Sequence, residues 1–232
     1  MKRLKTLMKV LIGFTILNAV AFVVNIIQAG NREPDGQSVK EILGTDPEKA
    51  TWEHLETLNR AETMQLFYAA RAPAFESMNG EYEAKVLSGG VLGETTAGFT
   101  HHFFPTGKPT MSTHWEGKAF KPEGENSGWG YNLFSGKSGS EIFRARKMRT
   151  YVGPTTICKD GSDSFHLDYS AFNTDLIKTM HDEVRQVNDN LYICAGYMVP
   201  FGGPWNPGPF VLIGPPKDLP VDDNGNIPGI EG

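Results

Sequence analysis

The chain is 232 residues long, with 39% hydrophobic, 21% charged and 11% aromatic residues, a composition that excludes a wholly disordered or fibrous protein. The 26 glycines and 15 prolines predict many turns, more than a helical bundle needs. Residues 1–30 hold four bases and no acid, so the rest of the chain carries 18 bases against 27 acids. An acidic body argues against nucleic acid as a partner, because a phosphate backbone requires a basic surface.

The clearest element is the uncharged twenty-residue run Val10–Ala29, which follows a cluster of basic residues. Twenty helical residues span about 30 Å, the thickness of the hydrocarbon core of a bilayer. Residues 1–30 are therefore predicted to anchor the protein in a membrane by a single pass. The positive-inside rule places the N-terminus in the cytoplasm and the body outside it, in a periplasm or its equivalent.

Two alternatives to this signal anchor remain open. A cleaved signal peptide has a shorter apolar region, about 7–15 residues, and a cleavage site made of small residues. The apolar run of this chain is longer, and Ile27-Gln28-Ala29 is a poor cleavage site, which favours an uncleaved segment. The second alternative is that the run forms a buried core helix.

The segment after the anchor changes from a linker to a helix. Residues 31–45 are predicted to form a linker, since the chain just beyond the anchor is polar and contains Gly and Pro. Asp46 and Pro47 are typical of a helix start, with an N-cap followed by proline at the first helical position. Apolar residues at helical spacing then predict one amphipathic helix, or two short ones, from Pro47 to Ala70.

From Gly80 onward the sequence consists of short segments separated by Gly, Pro, Asn and Asp, which is typical of β-strands joined by turns. No helical pattern separates the segments, so the sheet is predicted to be antiparallel. The fold is therefore predicted to be mainly β, an up-and-down, lipocalin-like barrel of eight or nine strands in a domain of residues 46–215, followed by a flexible tail of residues 216–232. The candidate strands are Glu81–Leu87, Gly98–Phe104, Met111–Lys118, Trp129–Phe134, Glu141–Tyr151, Ser164–Phe172, Ile177–Val187, Leu191–Met198 and Phe210–Ile213.

The alternation along several strands places polar residues on both faces of the sheet. Phe165 and Tyr169 share one face of their strand. His166 and Asp168 share the other face. Such a pattern indicates a closed barrel whose lumen is partly polar and holds water or a ligand. A solvated outer face with a few buried ion pairs explains the same pattern.

Three short motifs follow one another in the body: Leu66-Phe67-Tyr68 with Ala72-Pro73, Met78-Asn79-Gly80-Glu81-Tyr82, and Trp115-Glu116-Gly117-Lys118-Ala119-Phe120. With the later stretch His181–Asp189, they resemble the small β-barrel proteins named for a GXWXG motif, and more broadly the lipocalin-like (calycin) barrels. The similarity spans roughly residues 62–198. One departure is plain, because this chain has Gly80-Glu81-Tyr82 where that family has a Trp after its glycine. The resemblance implies a barrel and a small apolar ligand, and it supplies no catalytic residues.

A group of titratable residues falls on neighbouring predicted strands. His181 beside Asp182 could transfer a proton, with Tyr169 nearby, so these three are the candidate catalytic residues. Arginine side chains could bind an acidic head group bidentately. An ion network that fixes the strand register explains the same residues without a ligand. The candidate ligand-binding residues are Arg144, Arg146, His166, Asp168 and Arg185.

His114, His166 and His181 fall on three separate predicted strands, and three histidines with a carboxylate could bind zinc or iron. No H-x-H or H-E-x-x-H spacing occurs, so hydrogen-bonded structural histidines are favoured over a metal site. We therefore expect no metal and no cofactor, and no G-x-S-x-G elbow indicates a nucleophile. His101 and His102 are adjacent in a predicted strand and are expected to point to opposite faces. Cys158 and Cys194 could form a disulfide in an extracytoplasmic body or remain free thiols.

The sequence leads to three hypotheses. The first is a membrane-anchored, lipocalin-like protein that binds a hydrophobic, lipid-like small molecule outside the cytoplasm. The second is an isomerase, cyclase or hydratase that modifies a lipid-like substrate in the same barrel. The third is a non-catalytic accessory subunit of a membrane complex. The expected partners are the bilayer and a hydrophobic small molecule, with membrane proteins added under the third hypothesis.

Overall fold

The computed structural model describes residues 16, 19–107, 113–136, 141–223 and 226–230. Residues 19–28 of this part are helical and are called the N-terminal helical segment. The helices after it are α1 (Val39–Leu43), α2 (Trp52–Glu56), α3 (Arg60–Ala69) and α4 (Gly93–His102). The strands are β1 (Gly80–Val86), β2 (His114–Gly124), β3 (Ser127–Ser135), β4 (Ile142–Pro154), β5 (Asp163–Asp168), β6 (Met180–Asn188), β7 (Leu191–Met198) and β8 (Gly208–Lys217).

The eight strands form one closed barrel in chain order, in which each strand pairs with the next. All of these pairings are antiparallel, and β8 closes the barrel by pairing with β1. The prediction of a mainly β fold with an up-and-down antiparallel barrel is confirmed. Closure gives every strand two neighbours, so the ladder is paired on both sides of each strand.

The strand predicted at Gly98–Phe104 is wrong, because most of this segment belongs to α4. Thr96 and Thr100 are four residues apart, one turn of helix, and both line the cavity described below. His101 and His102 therefore lie in the last turn of a helix and not on opposite faces of a strand.

Aromatic side chains fill much of the barrel interior. The ring centroid of Tyr82 lies 5.7 Å from that of Phe120 and 5.6 Å from that of Tyr192. Phe165 packs on Phe120 at 5.3 Å, with the two rings nearly perpendicular. Such pairs contribute about 0.5–1.5 kcal/mol each beyond the area they bury. The cavity lies away from these rings, at the end of the barrel that α4 covers.

A second hydrophobic cluster lies outside the barrel wall, where α1, α2 and α3 cover the later strands. Outward-facing Ile193 and Val211 pack there against Phe67 of α3, and all three side chains are buried. Cys158 belongs to this outer cluster, whereas Cys194 belongs to the interior. Both cysteines are free and buried. The disulfide considered from the sequence does not form, because the sheet separates the two thiols.

The end of the N-terminal helical segment, together with Ala29 just after it, contacts α3. The Arg60 guanidinium donates to the Asn25 carbonyl (Nε–O 3.0 Å), and the Tyr68 hydroxyl donates to the Ala29 carbonyl at 2.8 Å. Residues 1–15, 17 and 18 of the predicted anchor lie outside the described residues. In the part of the chain that the structure describes, no helix is both long enough and apolar enough to cross a bilayer.

The last described residues return to the outer surface of the barrel. Ile227 is buried against Tyr131 and Leu133 of β3. Ile230 forms an isolated parallel bridge with Arg144 of β4. Part of the segment predicted as a flexible tail is therefore packed against the wall formed by β2, β3 and β4.

One buried arginine connects the helical layer to the barrel wall. Arg185 of β6 is completely buried and faces outward, toward the C-terminal end of α3. The last carbonyls of a helix have no partner within it, and a cation is favoured there by the helix dipole. The Arg185 guanidinium donates to the carbonyls of Phe67, Tyr68 and Ala70, at 3.2, 3.1 and 3.2 Å, and to the hydroxyls of Ser162 and Ser164, at 2.6 and 2.9 Å.

We expect Arg185→Met to lower the free energy of unfolding by about 3 kcal/mol, because each buried acceptor left without a donor costs about 1–3 kcal/mol. Urea unfolding followed by circular dichroism measures the change. Arg149→Met, at an exposed position of β4, is the matched control and should change stability by less than about 0.5 kcal/mol. A loss for Arg185→Met no larger than that of the control would contradict the structural role of Arg185.

Candidate functional site

A cavity of about 280 Å³ lies at the end of the barrel covered by α4. Its walls are mainly apolar and come from the inner face of the sheet, from α4, from residues 198–209 and from the N-terminal helical segment. This volume is near the lower end of the range for ligand pockets, roughly 300–1,000 Å³. Representative wall residues are Trp115, Phe210, Phe99, Phe201 and Phe22.

At the inner end of the cavity the apolar walls meet an ion pair between Lys118 and Asp182, with Nζ and Oδ2 2.9 Å apart. Lys118 also donates to Asn132 Oδ1 at 2.8 Å and to the Tyr169 hydroxyl at 2.6 Å. The Tyr169 hydroxyl donates to Asp182 Oδ2 at 3.0 Å, and the Trp115 indole donates to Asn132 Oδ1 at 3.1 Å. All three ammonium hydrogens of Lys118 therefore have an acceptor.

Both charges of this pair are buried, with side-chain exposures of 1% for Lys118 and 0% for Asp182. Burial lowers the pKa of Lys118, and the opposite charge of Asp182 opposes that shift. Burial, followed by the charge of Asp182, raises the pKa of Tyr169 well above its usual value, so the phenol keeps its proton at neutral pH. The ammonium is further stabilised by aromatic rings. Their centroids lie 5.7 Å (Phe104), 5.2 Å (Trp115), 5.4 Å (Tyr169) and 5.1 Å (Phe210) from Nζ.

One oxygen of this network has no hydrogen-bond partner among the described residues. Oδ1 of Asp182 is buried and unpaired, and Asp182 lines the cavity together with Gly196 of β7. A Cβ atom on Gly196 would lie 2.2 Å from this oxygen, so a larger residue there would displace the carboxylate. An unpaired buried acceptor costs about 1–3 kcal/mol, and more when it is charged. A donor group in the cavity would remove that cost.

The structure brings two of the three candidate catalytic residues together and separates the third. Tyr169 and Asp182 face inward, whereas His181 faces outward, because adjacent residues of a strand point to opposite sides. Tyr169 is not one of the residues that line the cavity, and it contacts the ion pair from behind. The expected convergence of His181 with the other two in the lumen is not found.

Four of the five candidate ligand-binding residues face away from the lumen. Their apolar neighbours along the strands, such as Phe165 and Val184, occupy the interior. An ion pair with Glu81 (Nε–Oε1 3.0 Å) holds one of the four, Arg144, on the outer surface. The strand face that carries His166 and Asp168 is therefore the outer face of the barrel. The four residues are Arg144, His166, Asp168 and Arg185.

The fifth candidate, Arg146, lies at the rim of the barrel and does not line the cavity. Its φ of 59° is left-handed, at a bulge where two residues of β4 oppose one residue of β3. The guanidinium donates to the Phe104 carbonyl at 2.8 Å and pairs with Asp175 at 2.9 Å. Arg146 therefore connects the chain that follows α4 to the loop that precedes β6.

Sequence reasoning did not identify Lys118 or Asn132 as site residues. Lys118 lies within a motif on which the family resemblance rests and ends a predicted strand, and Asn132 lies within another predicted strand. For Asn132 the available signal was one polar residue on an otherwise apolar strand face, whereas Lys118 shares its predicted face with His114 and Glu116 and carried no such signal. Phe120 and Phe134, two residues farther along the same faces, are both buried in the interior.

The fold and the site together define a closed antiparallel β-barrel of eight strands with an internal cavity and a buried ion pair. A lipocalin-like architecture is compatible with this barrel. No protein family, no curated protein and no solved structure matches the chain. The similarity to GXWXG-motif proteins therefore remains a resemblance of short sequence motifs.

We expect Lys118→Met to lower the free energy of unfolding by about 3–5 kcal/mol, because it leaves the Asp182 carboxylate buried without its cation. The double variant Lys118→Met with Asp182→Asn should be more stable than this single variant, since no charge is then unpaired. Urea unfolding followed by tryptophan fluorescence gives the values for a double-mutant cycle. If the stability loss of the double variant equals the sum of the losses of Lys118→Met and Asp182→Asn alone, the two charges are not coupled and this prediction is contradicted.

Two stacked histidines connect the C-terminal end of α4 to β2. Nδ1 of His101 accepts a hydrogen bond from the Trp115 amide at 3.1 Å, and its ring stacks on His114 with centroids 3.9 Å apart. Burial, followed by the charges of His114 and His102, lowers the pKa of His101 to about 4, and Glu116 opposes the shift. His101 is therefore neutral at neutral pH, as its role as an acceptor requires.

We expect the stability of the protein to fall as the pH decreases from about 6.5 to about 4. In this range His101 is protonated in the unfolded chain but not in the folded protein, so the unfolded state binds more protons. Urea unfolding at about pH 7 and about pH 5 measures the loss. His101→Asn keeps an acceptor for the Trp115 amide without a titrating ring, and it should lose less stability than the wild type. Equal losses would contradict this assignment.

Proposed function

We propose that the protein is a membrane-anchored, lipocalin-like barrel that binds a hydrophobic small molecule outside the cytoplasm. The observation that carries the proposal is the cavity of about 280 Å³ with mainly apolar walls, which is also lined by Asp182, a residue with an unpaired buried carboxylate oxygen. Apolar walls with a few fixed polar groups are typical of small-molecule sites. Burial of apolar ligand surface contributes about 25 cal/mol per Å², and the polar end fixes the orientation of the ligand.

The outer end of the cavity supports the membrane part of the proposal. Phe22 of the N-terminal helical segment and Phe201 both line the cavity there. Large apolar side chains around this end are exposed, and such a surface is favoured against lipid. An anchor in the run Val10–Ala29 would keep this end beside the bilayer, into which apolar ligands partition. The exposed side chains are Val20, Val23, Ile27, Val199, Phe201 and Trp205.

The polar end of the cavity favours a neutral ligand that carries a hydrogen-bond donor. The ammonium hydrogens of Lys118 are already bound to three acceptors, so none is left for a ligand oxygen. Oδ1 of Asp182 is an acceptor on a carboxylate, which attracts a hydroxyl hydrogen and repels another carboxylate. An aliphatic alcohol is therefore favoured over a fatty acid of the same chain length.

We expect the full-length protein in mild detergent to bind n-octanol at least tenfold more tightly than octanoate, as measured by native mass spectrometry. Thr96→Phe places a ring in the cavity and should weaken octanol binding at least tenfold. Glu94→Phe, on the exposed side of the same helix, is the matched control and should bind as the wild type does.

Two results would contradict different parts of this proposal. Octanoate binding as tight as octanol binding would show that the inference about the polar end is wrong. Unchanged binding by Thr96→Phe would show that the cavity is not the binding site. Lipids that co-purify with the wild type and not with Thr96→Phe would support the cavity as the site and identify the natural ligand class.

An isomerase, cyclase or hydratase in the same cavity is the second candidate function. It is favoured by the unpaired carboxylate oxygen of Asp182, a proton acceptor on a residue that lines the cavity beside Lys118. Tyr169 contacts both groups and would position them without touching the substrate. Conversion of the co-purifying lipid into an isomer or a hydrate by fresh protein would favour this candidate. Recovery of unchanged lipid would favour binding alone.

A further inference from the structure

Three side chains with metal-ligating atoms meet on the outer face of the barrel, on the opposite side of the sheet from the cavity. His166 of β5 lies directly across from Glu183 of β6, and His181 is two residues before Glu183 on the same face of β6. His166 Nδ1 is 2.8 Å from His181 Nε2 and 3.9 Å from Glu183 Oε1. The three ligating atoms all lie within 4.8 Å of one another.

Two contacts fix the orientation of the His166 ring. Its Nε2 lies 3.0 Å from the Gly153 carbonyl, and because a carbonyl only accepts, Nε2 carries the proton. The ring also stacks on Tyr151, with centroids 4.7 Å apart. In the neutral imidazole, Nδ1 therefore presents its lone pair toward His181 and Glu183. Metal-ligating histidines are commonly held in this way, with the other ring N–H donated to a carbonyl or a carboxylate.

The chain that follows β4 orients Glu183. Its Oε2 accepts from the Thr155 hydroxyl, and its Oε1 accepts from the amide and hydroxyl of Thr156 and from the Ile157 amide. The Thr156 hydroxyl also lies 2.9 Å from the Tyr197 hydroxyl. If Oε1 binds a cation, the Thr156 hydroxyl can donate to the Tyr197 hydroxyl instead. The amides of Thr156 and Ile157 then continue to hold the carboxylate.

The arrangement leaves two acceptor atoms facing each other. The lone pair of His166 Nδ1 and the Oε1 atom of Glu183 are 3.9 Å apart, and neither atom carries a hydrogen. Only one hydrogen, on His181 Nε2, is available to His166 Nδ1 across the 2.8 Å contact. A cation between the three atoms would take the place of that hydrogen and accept a lone pair from each of them.

We propose that His166, His181 and Glu183 bind a divalent cation of the zinc class. Two imidazole nitrogens and one carboxylate oxygen form a donor set that Zn²⁺ takes, and three protein ligands leave a fourth position for water or an anion. Metal–nitrogen bonds of about 2.0–2.1 Å place the two nitrogens about 3.3 Å apart, so they must separate by about 0.5 Å. His181 is only partly buried and can make this movement, with its proton carried on Nδ1.

The test is a calorimetric titration of Zn²⁺, and separately of Co²⁺, into the metal-free full-length protein in mild detergent. We expect one equivalent to bind and Co²⁺ to give the absorption bands of a tetrahedral site. His181→Asn should weaken binding at least tenfold. His54→Asn, which removes a histidine of α2 instead, is the matched control and should leave the affinity unchanged.

Absence of binding to the wild type would overturn the proposal, and so would equal affinities of His181→Asn and His54→Asn. Thermal unfolding provides a second measurement, because a cation that binds only the folded state raises Tm. Zn²⁺ should raise Tm for the wild type and for His54→Asn but not for His181→Asn. A rise that persists in His181→Asn would overturn the proposal. The test uses only the variant of the partly buried His181. It therefore does not depend on whether His166→Asn or Glu183→Gln, which change buried residues, can fold.

Discussion

The buried ion pair between Lys118 and Asp182 constrains the interior of the barrel. Neither charge is tolerated alone in an apolar interior, so each requires the other and further hydrogen bonds as well. Asn132, Tyr169 and Trp115 supply those bonds. Because these groups come from separate strands and from the end of β5, the strand register that aligns them also sets the inner end of the cavity.

The alternation of side chains gives the two faces of this wall different chemistry. Asp182 contacts the ion pair inside the barrel, while His181 and Glu183, its immediate neighbours, belong to a histidine and carboxylate group outside. The helical layer buries part of the outer face, so Arg185 is as deeply buried there as a core residue. Polar residues on the two faces of one strand therefore belong to two separate side-chain groups.

Local patterns predicted most of the sheet but only part of the site. The strand predicted at Leu191–Met198 has the bounds of β7, because alternating residues and a turn at each end mark it clearly. Gly98–Phe104 carried no such marks and forms part of α4. Tyr169 and Asp182 were named for the chemistry of their side chains, but Lys118 was not, because its partners lie 51 and 64 positions away in the sequence.

The sequence by itself determined an antiparallel, β-rich body after Gly80 and an apolar run at the N-terminus, because strand alternation, turn residues and hydrophobic length are local properties. Only the tertiary structure decided which face of each strand became the lumen. Both faces of β5 and β6 carry polar residues, so local pattern could not distinguish them. The choice depends on pairing between β1 and β8, far apart in the chain, and on the helices that cover the outer wall. These long-range contacts place Asp182 inside the barrel and His166 outside it.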